Sequence, residues 1–375
     1  MYNCGPTVYD RAHIGNMRSY VLADLARRVL EYNDYTVKQV INITDVGHLT
    51  SNADEGEDKL EKAAQQRGET AQEIAKKYTE LFFEDIAKLN VRTEGTEFPR
   101  ATAYVNEQIA MIQTLEQSGY AYKTSDGVYF DTFAFKDYGK LGDIPTEKLE
   151  EGARVEKNNE KRNPTDFALW KFSKEGEKRQ QEWDSTWGVG FPGWHIECSA
   201  MSRALLGRQL DIHTGGIDHI PVHHNNEIAQ SEAANKKKFV NYWLHNAFIT
   251  IEGRRMGKSV GNLINLDQLS DRGIAPLSYR YWLLTVHYRA PANFTWEAVE
   301  GAHTALKKLH RHFVDELGSK DGSLDSTYQE KFHTYANDDI DTPKAVALVW
   351  DLIKDRALTT EDKRTTLLNF DNVLG

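Results

Sequence analysis

The stretch that decides the fold runs from Cys4 to Ile43, CGPTVYDRAHIGNMRSYVLADLARRVLEYNDYTVKQVINI. Val8 leads into a polar turn, Asp10-Arg11-Ala12-His13-Ile14-Gly15-Asn16. A helix is predicted from near Met17, because Leu22, Leu25, Ala26 and Val29 recur at i, i+3, i+4 and i+7. Val37 to Ile43 is short and β-branched, as suits a buried parallel strand. Strand, turn, helix and strand in that order form the front half of a βαβ unit. A helix N-terminus offers unpaired N–H groups and a positive dipole end, which suit phosphate. Gly15 lets a nucleotide approach the backbone closely, and His13 can donate to phosphate oxygens. By itself the tetrapeptide His13–Asn16 is a weak signal, because a His before a helix is more often a surface cap.

Working outward, Ser51 to Asp58 is acidic and reads as a mobile loop. Thr70 to Glu73 is a capping box, and Ile74, Tyr78, Leu81 and Phe82 continue a helical stripe. A helix is expected over 103–117 and a strand over 127–135. Charge dominates from Glu147 to Gln181, which reads as an insertion with one apolar knot, Phe167-Ala168-Leu169-Trp170. A helix through Met201 and Leu206 follows, then a short strand at 210–213 and a helix from about His223 to Ala234. Phe248 to Ile251 is a strand that leads into the basic loop Gly253-Arg254-Arg255-Met256-Gly257-Lys258-Ser259. Beyond Asn293 the pattern is helical, with Pro343 at a first helical turn.

Composition narrows the class. Of 375 residues, 40% are hydrophobic and 27% charged, which is ordinary for a globular protein. No apolar run approaches the ~20 residues of a membrane helix. The N-terminus has neither a basic nor an apolar leader region, so a cytoplasmic, membrane-free protein is expected. A formal charge of −10 argues against a general nucleic-acid coat. Local basic groups remain at Lys236–Lys238 and at Lys307, Lys308 and Arg311, and read mainly as solvated helix faces. Cys4 and Cys198 are the two cysteines of the chain. They cannot form a disulfide framework, and are either unrelated buried thiols or, paired with histidines, metal ligands.

Two of these motifs together, His13-Ile14-Gly15-Asn16 and Arg255-Met256-Gly257-Lys258-Ser259, resemble the HIGH and KMSKS signatures of class I aminoacyl-tRNA synthetases. Flanking motifs narrow the resemblance to the cysteinyl-tRNA synthetase family. They are CGPTVYDRAHIGN (Cys4–Asn16), NITDVGHL (Asn42–Leu49), GWHIECSAM (Gly193–Met201), GGIDHIPVHHNNEIAQSEA (Gly215–Ala233) and RMGKSVGN (Arg255–Asn262). The resemblance covers nearly the whole chain. It implies an α/β fold: a Rossmann-like parallel sheet in a catalytic domain split by an insertion, followed by an α-helical module. The expected segments are 1–105, 106–190, 191–292 and 293–375. Ligands are expected at the carboxyl ends of the strands.

The resemblance also implies site residues. Cys4, Cys198, His223 and Glu227 are expected to bind one Zn²⁺ in the amino-acid pocket, with the substrate thiolate as an added ligand. His223 and Glu227 stand at i, i+4, so one helical face can present both. His224, at i, i+3 to Glu227, is the rival imidazole. Two thiolates, an imidazole and a carboxylate suit tetrahedral zinc. Thr44 and Trp194 are expected to line the cysteine pocket. Gly215, Gly216 and Asp218 are expected near the adenosine, Asp218 accepting from the ribose. His13, Asn16 and Lys258 are expected to act on the triphosphate of ATP, with Gly15, Met256 and Ser259 beside it and Mg²⁺ accompanying the nucleotide.

The implied reaction is ATP-dependent activation of L-cysteine to cysteinyl-adenylate, then transfer to the 3′ end of tRNA(Cys). A hydrophobic pocket separates near-isosteres such as serine and cysteine by only ~10–200-fold. A soft metal ligand separates them better. The insertion is accordingly not expected to be an editing domain. Asn16 stands where the signature has its final His, Arg255 where it has its first Lys, and Gly257 where it has its middle Ser. Members of the family it resembles usually begin upstream of the position of Met1 with more of the first strand, and continue past that of Gly375 into a small basic module. A monomer is expected. One alternative reading is a cysteine-activating ligase that serves a small amine, as in mycothiol-pathway paralogues. The other is a non-catalytic relative that binds zinc or nucleotide.

Overall fold

The computed structural model describes residues 1–47, 58–144, 160–173, 176, 179–257 and 260–375. His48, Leu49, residues 51–57 of the acidic loop, residues 145–159 of the insertion, Lys258 and Ser259 lie outside the described residues.

In chain order the first elements are β1 (Tyr2–Asn3), α1 (Ile14–Tyr32), β2 (Gln39–Ile41), α2 (Lys59–Arg67), α3 (Ala71–Lys88), β3 (Thr96–Glu97) and α4 (Val105–Gln117). Next come β4 (Ala121–Lys123), β5 (Gly127–Phe130), β6 (Phe167–Phe172), β7 (Gly190–Pro192), α5 (Trp194–Leu206), β8 (Leu210–Gly216), α6 (Asn225–Asn235) and β9 (Val240–Asn246). The chain continues through β10 (Ile249–Ile251), β11 (Arg254–Arg255), α7 (Leu266–Asp271), α8 (Pro276–Leu284) and β12 (Ala292–Phe294). It ends with α9 (Trp296–Arg311), α10 (Ser326–Asn337), α11 (Thr342–Lys354) and α12 (Thr360–Leu374).

The chain divides into two compact units. The first holds residues 1–11, 38–82 and 95–244. Its principal sheet has the order β3-β2-β1-β8-β9. β1 pairs in parallel with both β2 and β8, and β2 in parallel with β3. Val40, Ile41 and Tyr2 are buried, as expected of a parallel sheet. A second sheet, order β4-β5-β6-β7, is antiparallel throughout. Here the structure corrects the sequence reading. Phe167 to Trp170 is not an isolated knot but strand β6, and all four side chains are buried. Val128, Phe130, Phe167, Leu169 and Trp170 share one core with Met111, Ile112 and Leu115 of α4, Ile196 and Ala200 of α5, and Ala229 and Ala233 of α6. The inserted sheet therefore backs the helices that carry Cys198 and Glu227. The strand predicted over 127–135 stops at Phe130. Asp131 then caps a short 3₁₀ turn by accepting from the Phe133 and Ala134 N–H groups.

The second unit holds residues 12–37, 83–94 and 245–375. It contains α1, a small sheet of order β11-β10-β12, and α7 to α12. β10 pairs antiparallel with β11 and parallel with β12. α1 begins at Ile14, three residues before the expected start, because His13 and Asn16 form a capping box. Buried Asp24 accepts from both Arg28 (2.8 Å) and Arg280 (2.6 Å), which ties α1 to α8. Phe332 of α10 stacks on Phe370 of α12, with ring centroids 4.1 Å apart. No described helix is long and apolar enough to cross a membrane.

Candidate active site

In the first unit, β1 and β8 run side by side, and just past the end of β1 Cys4 N donates to Thr214 O. Cys198 projects from α5, and Glu227 from the first turn of α6. Between β8 and α6 the chain makes a 3₁₀ turn and then a widened turn, Ile220–His224, with Pro221 at its start. Such wide turns collect at functional sites. This one leaves both His223 and His224 buried.

The result is a cluster of donor atoms, buried except at Cys4, which is half-buried. Among the described residues, the ligand atoms of Cys4, Cys198, His223 and Glu227 all lie within 4.8 Å of one another. A second set, Cys4, His213, His224 and Glu227, meets the same limit and shares two members with the first. His223 Nε2 lies 2.9 Å from Glu227 Oε1, and His213 Nε2 lies 3.0 Å from Glu227 Oε2. His224 Nε2 lies 3.3 Å from Cys4 Sγ. Either set could hold a metal ion. His213 and His195 were given no role by spacing alone. His195 Nδ1 lies 2.8 Å from His223 Nδ1, so the His223 ring is oriented from its far side. His195 stands inside the GWHIECSAM motif, which was the available signal. His213 sits in β8, where nothing in a strand pattern marks it.

The electrostatics describe a site that wants a cation. Burial, the bond to Cys198 and the charge of Glu227 push the Cys4 thiol well above its ordinary value. The hydrogen bond from Cys4 holds Cys198 down at about 6, against burial and with help from His223. Burial would lower His223, but Glu227 and Cys198 override it and raise the imidazole to about 10. Burial would raise Glu227, but His213 and His223 hold it at about 2. One thiol thus keeps its proton to serve its neighbour, and an imidazolium offsets the remaining negative charge. A divalent cation would replace both protons, so the donor chemistry fits a zinc-type ion.

The other expected residues of this unit fall around the cluster. The Trp194 ring lies 4.5 Å from the His223 ring, centroid to centroid. Thr44 is buried; its Oγ1 accepts from Asn42 (2.9 Å) and donates to Glu197 (3.4 Å). Gly215 makes room for protein rather than only for ligand: a Cβ there would lie 2.7 Å from the His224 ring and 2.8 Å from that of His219. A Cβ on Gly216 would lie 2.2 Å from Asp218 Oδ1. Asp218 itself is exposed.

The second unit brings the two signature motifs together. His13 Nδ1 accepts from Asn16 N (3.3 Å), and Asn16 Oδ1 accepts from His13 N (3.1 Å). The expected phosphate-facing pair is therefore also the helix cap. An accepting Nδ1 places the ring proton on Nε2. A Cβ on Gly15 would lie 2.2 Å from Met256 Cε, so the basic loop rests against this turn. Asn262 closes the loop. Its Oδ1 accepts from Gly257 N (3.0 Å), and its Nδ2 donates to Arg255 O (3.1 Å). Asn262 was quoted in a motif, but its role was not read from the sequence.

Comparison with known proteins agrees with this geometry. The family of tRNA synthetases class I (C) catalytic domains matches residues 1–304. The cysteine–tRNA ligase 1 of Burkholderia lata is 52% identical, over the whole of this chain and 79% of that protein. The cysteine–tRNA ligase of Treponema denticola is 44% identical, over the whole of this chain and 81% of that protein. Two solved structures share the fold across the whole chain. The Mycobacterium tuberculosis methionyl-tRNA synthetase bound by methionyl-adenylate has a TM-score of 0.61 at 15% identity and is covered over 89%. The Agrobacterium radiobacter LeuRS–tRNA–LeuAMS ternary complex has a TM-score of 0.71 at 10% identity and is covered over 83%. With its parallel sheet, capped signature helix and paired-cysteine donor cluster, the chain belongs to the cysteine–tRNA ligase family of class I aminoacyl-tRNA synthetases.

Proposed function

We propose that this chain activates L-cysteine with ATP and transfers it to the 3′-terminal ribose of tRNA(Cys), using zinc to select the thiol. The observation that carries the reading is the set Cys4, Cys198, His223 and Glu227, half-buried at Cys4 and buried at the other three, which puts two sulfurs, a nitrogen and an oxygen within 4.8 Å of one another. It is preferred over the His213–His224 set because its second sulfur makes it the softer site. Zinc held there would supply a soft Lewis acid that favours the substrate thiolate over the hydroxyl of serine.

The chain's own groups bind and orient. His195 fixes the His223 ring, and Trp194 walls the same side. The cysteine carboxylate attacks the α-phosphorus of ATP, a P–O bond forms, and pyrophosphate leaves with the electrons of the broken P–O bond. In this step His13 donates from Nε2 to a phosphate oxygen, and Asn16 donates from its amide. Lys258 offsets charge on the leaving pyrophosphate, Met256 and Ser259 flank it, and Gly15 admits the nucleotide. Gly216 and Asp218 receive the adenosine, Asp218 accepting from its ribose. The 3′-terminal ribose hydroxyl of the tRNA then attacks the carbonyl carbon, and AMP departs. No side-chain nucleophile is needed; positioning and charge stabilisation supply the rate.

The test is cysteine-dependent ATP–pyrophosphate exchange with serine as control, followed by transfer of labelled cysteine to tRNA(Cys) or to a small amino sugar. Exchange with cysteine and label on tRNA are expected. Label on the amino sugar, or no exchange by folded zinc-replete protein, would overturn the reading.

A further inference from the structure

Arg18 lies one turn into α1, four residues after Ile14, and is 3% exposed. Its guanidinium ends on five backbone carbonyls. Nη1 donates to Ala247 O (2.9 Å) and Phe248 O (3.0 Å). Nη2 donates to His287 O (3.2 Å), Tyr288 O (3.2 Å) and Ala290 O (2.7 Å). All of these groups belong to the second unit. Burial lowers the Arg18 pKa, so holding this cation here has a cost. The carbonyl dipoles offset that cost. Ala247 O, Phe248 O, His287 O and Tyr288 O each accept one other hydrogen bond, so loss of the guanidinium would leave Ala290 O without its donor and remove a second donor from the other four.

The two segments that Arg18 gathers are the roots of one small sheet. Ala247-Phe248 leads into β10, and residues 287–290 lead into β12. β10 turns through Glu252-Gly253 into β11, so Arg254 and Arg255 of the stretch expected as a basic loop are strand, and the loop proper follows Arg255. Beside Arg18, Ser19 Oγ donates to Asn246 Oδ1 (2.8 Å). At the other end of the same turn, Ile14 N donates to Ile264 O (2.8 Å), beyond the loop. The His13–Asn16 turn and the loop rest on each other through Gly15 and Met256. A fork about one helical pitch, ~5.4 Å, from that turn sets where the sheet, and with it the loop, can stand.

We propose that Arg18 is a positioning residue for the ATP-dependent step. It holds the β10–β12 sheet against α1, so that the basic loop meets the triphosphate bound at the His13–Asn16 turn. This rests on the function proposed above. Lysine presents three donors from one point and cannot span both segments; methionine fills the space and donates nothing.

The experiment compares wild type, Arg18→Lys and Arg18→Met as zinc-replete full chains. It reads kcat and the KM values for ATP and cysteine in pyrophosphate exchange, beside zinc content and melting temperature. Rates are taken per site able to bind cysteine, so a misfolded fraction does not count. Misplacement by about 1 Å costs on the order of 100-fold. Arg18→Met is therefore expected to lose roughly 10–100-fold in kcat, Arg18→Lys less, with KM for cysteine and zinc content unchanged. Methylguanidine added to an Arg18→Ala chain is expected to restore part of kcat. Wild-type kcat per competent site in both Lys and Met variants overturns the proposal, as does a parallel rise in KM for cysteine. Absence of exchange in the wild type overturns the function reading together with this one.

Discussion

Gly215→Ala separates two reasons for a glycine at the end of β8. The new Cβ would sit 2.7 Å from the His224 ring and 2.8 Å from the His219 ring, where ordinary contact begins near 3.4 Å. The overlap is thus about 0.6–0.7 Å against two rings at once. His224 is buried and lies 3.3 Å from Cys4 Sγ, so it cannot give way without disturbing the donor cluster. Overpacking of this kind costs about 1–3 kcal/mol, roughly 5- to 150-fold in the folding equilibrium. The assay is urea unfolding of the zinc-loaded protein without nucleotide, followed by the KM for ATP. The expected result is a lower urea midpoint with an unchanged slope, present before any nucleotide is added. Unchanged stability with a tenfold higher KM for ATP would refute the reasoning. It would show that the missing Cβ serves adenosine rather than the histidines.

Three further outcomes follow from the geometry. Zinc binding to the stripped protein should release about two protons between pH 7 and 8. Cys4 and His223 hold protons there, whereas Cys198, at about 6, and Glu227, at about 2, do not. Both protonated ligands must lose a proton to bind. Zinc affinity should therefore rise with pH, by about 100-fold per unit between 6 and 10; a titration in weak buffer that releases no protons contradicts this. Asn262→Ala removes two loop-closing hydrogen bonds of about 0.5–1.5 kcal/mol each. It should lower kcat of exchange by roughly tenfold and leave KM for cysteine unchanged, as initial rates will show. Trp170→Ala hollows the core behind α5 and α6 and should cost about 3–5 kcal/mol. Calorimetry and zinc content should fall together, and a melting point within a degree of wild type contradicts the account.

Much of this was legible in the sequence where local chemistry decides structure. The Thr70–Glu73 capping box forms as written, with Thr70 N donating to Glu73 (2.8 Å) and Glu73 N to Thr70 (3.2 Å). Pro343 stands in the first turn of α11. Cys4, Cys198, His223 and Glu227 do come together. What failed is what depends on long-range pairing. Phe167–Trp170 sits among charges in the sequence and shows its buried role only when β5 and β7 flank it. The choice between His223 and His224 was not decidable from spacing. A regular helix turns adjacent residues ~100° apart, whereas the widened turn buries both. His213 joins the cluster through the parallel register of β8 beside β1, which the sequence does not record.

The most direct test of a thiolate-selecting metal site is to replace zinc with Co²⁺ and follow the sulfur-to-metal charge-transfer band. Two thiolates should be seen in the cobalt protein. Adding cysteine should strengthen the band toward three, while serine leaves it unchanged. A band reduced to that of one thiolate in Cys198→Ser, with the response to cysteine kept by His224→Ala, would agree with the His223 set. An unaltered band on adding cysteine, or equal responses to cysteine and serine, would contradict selection through the metal.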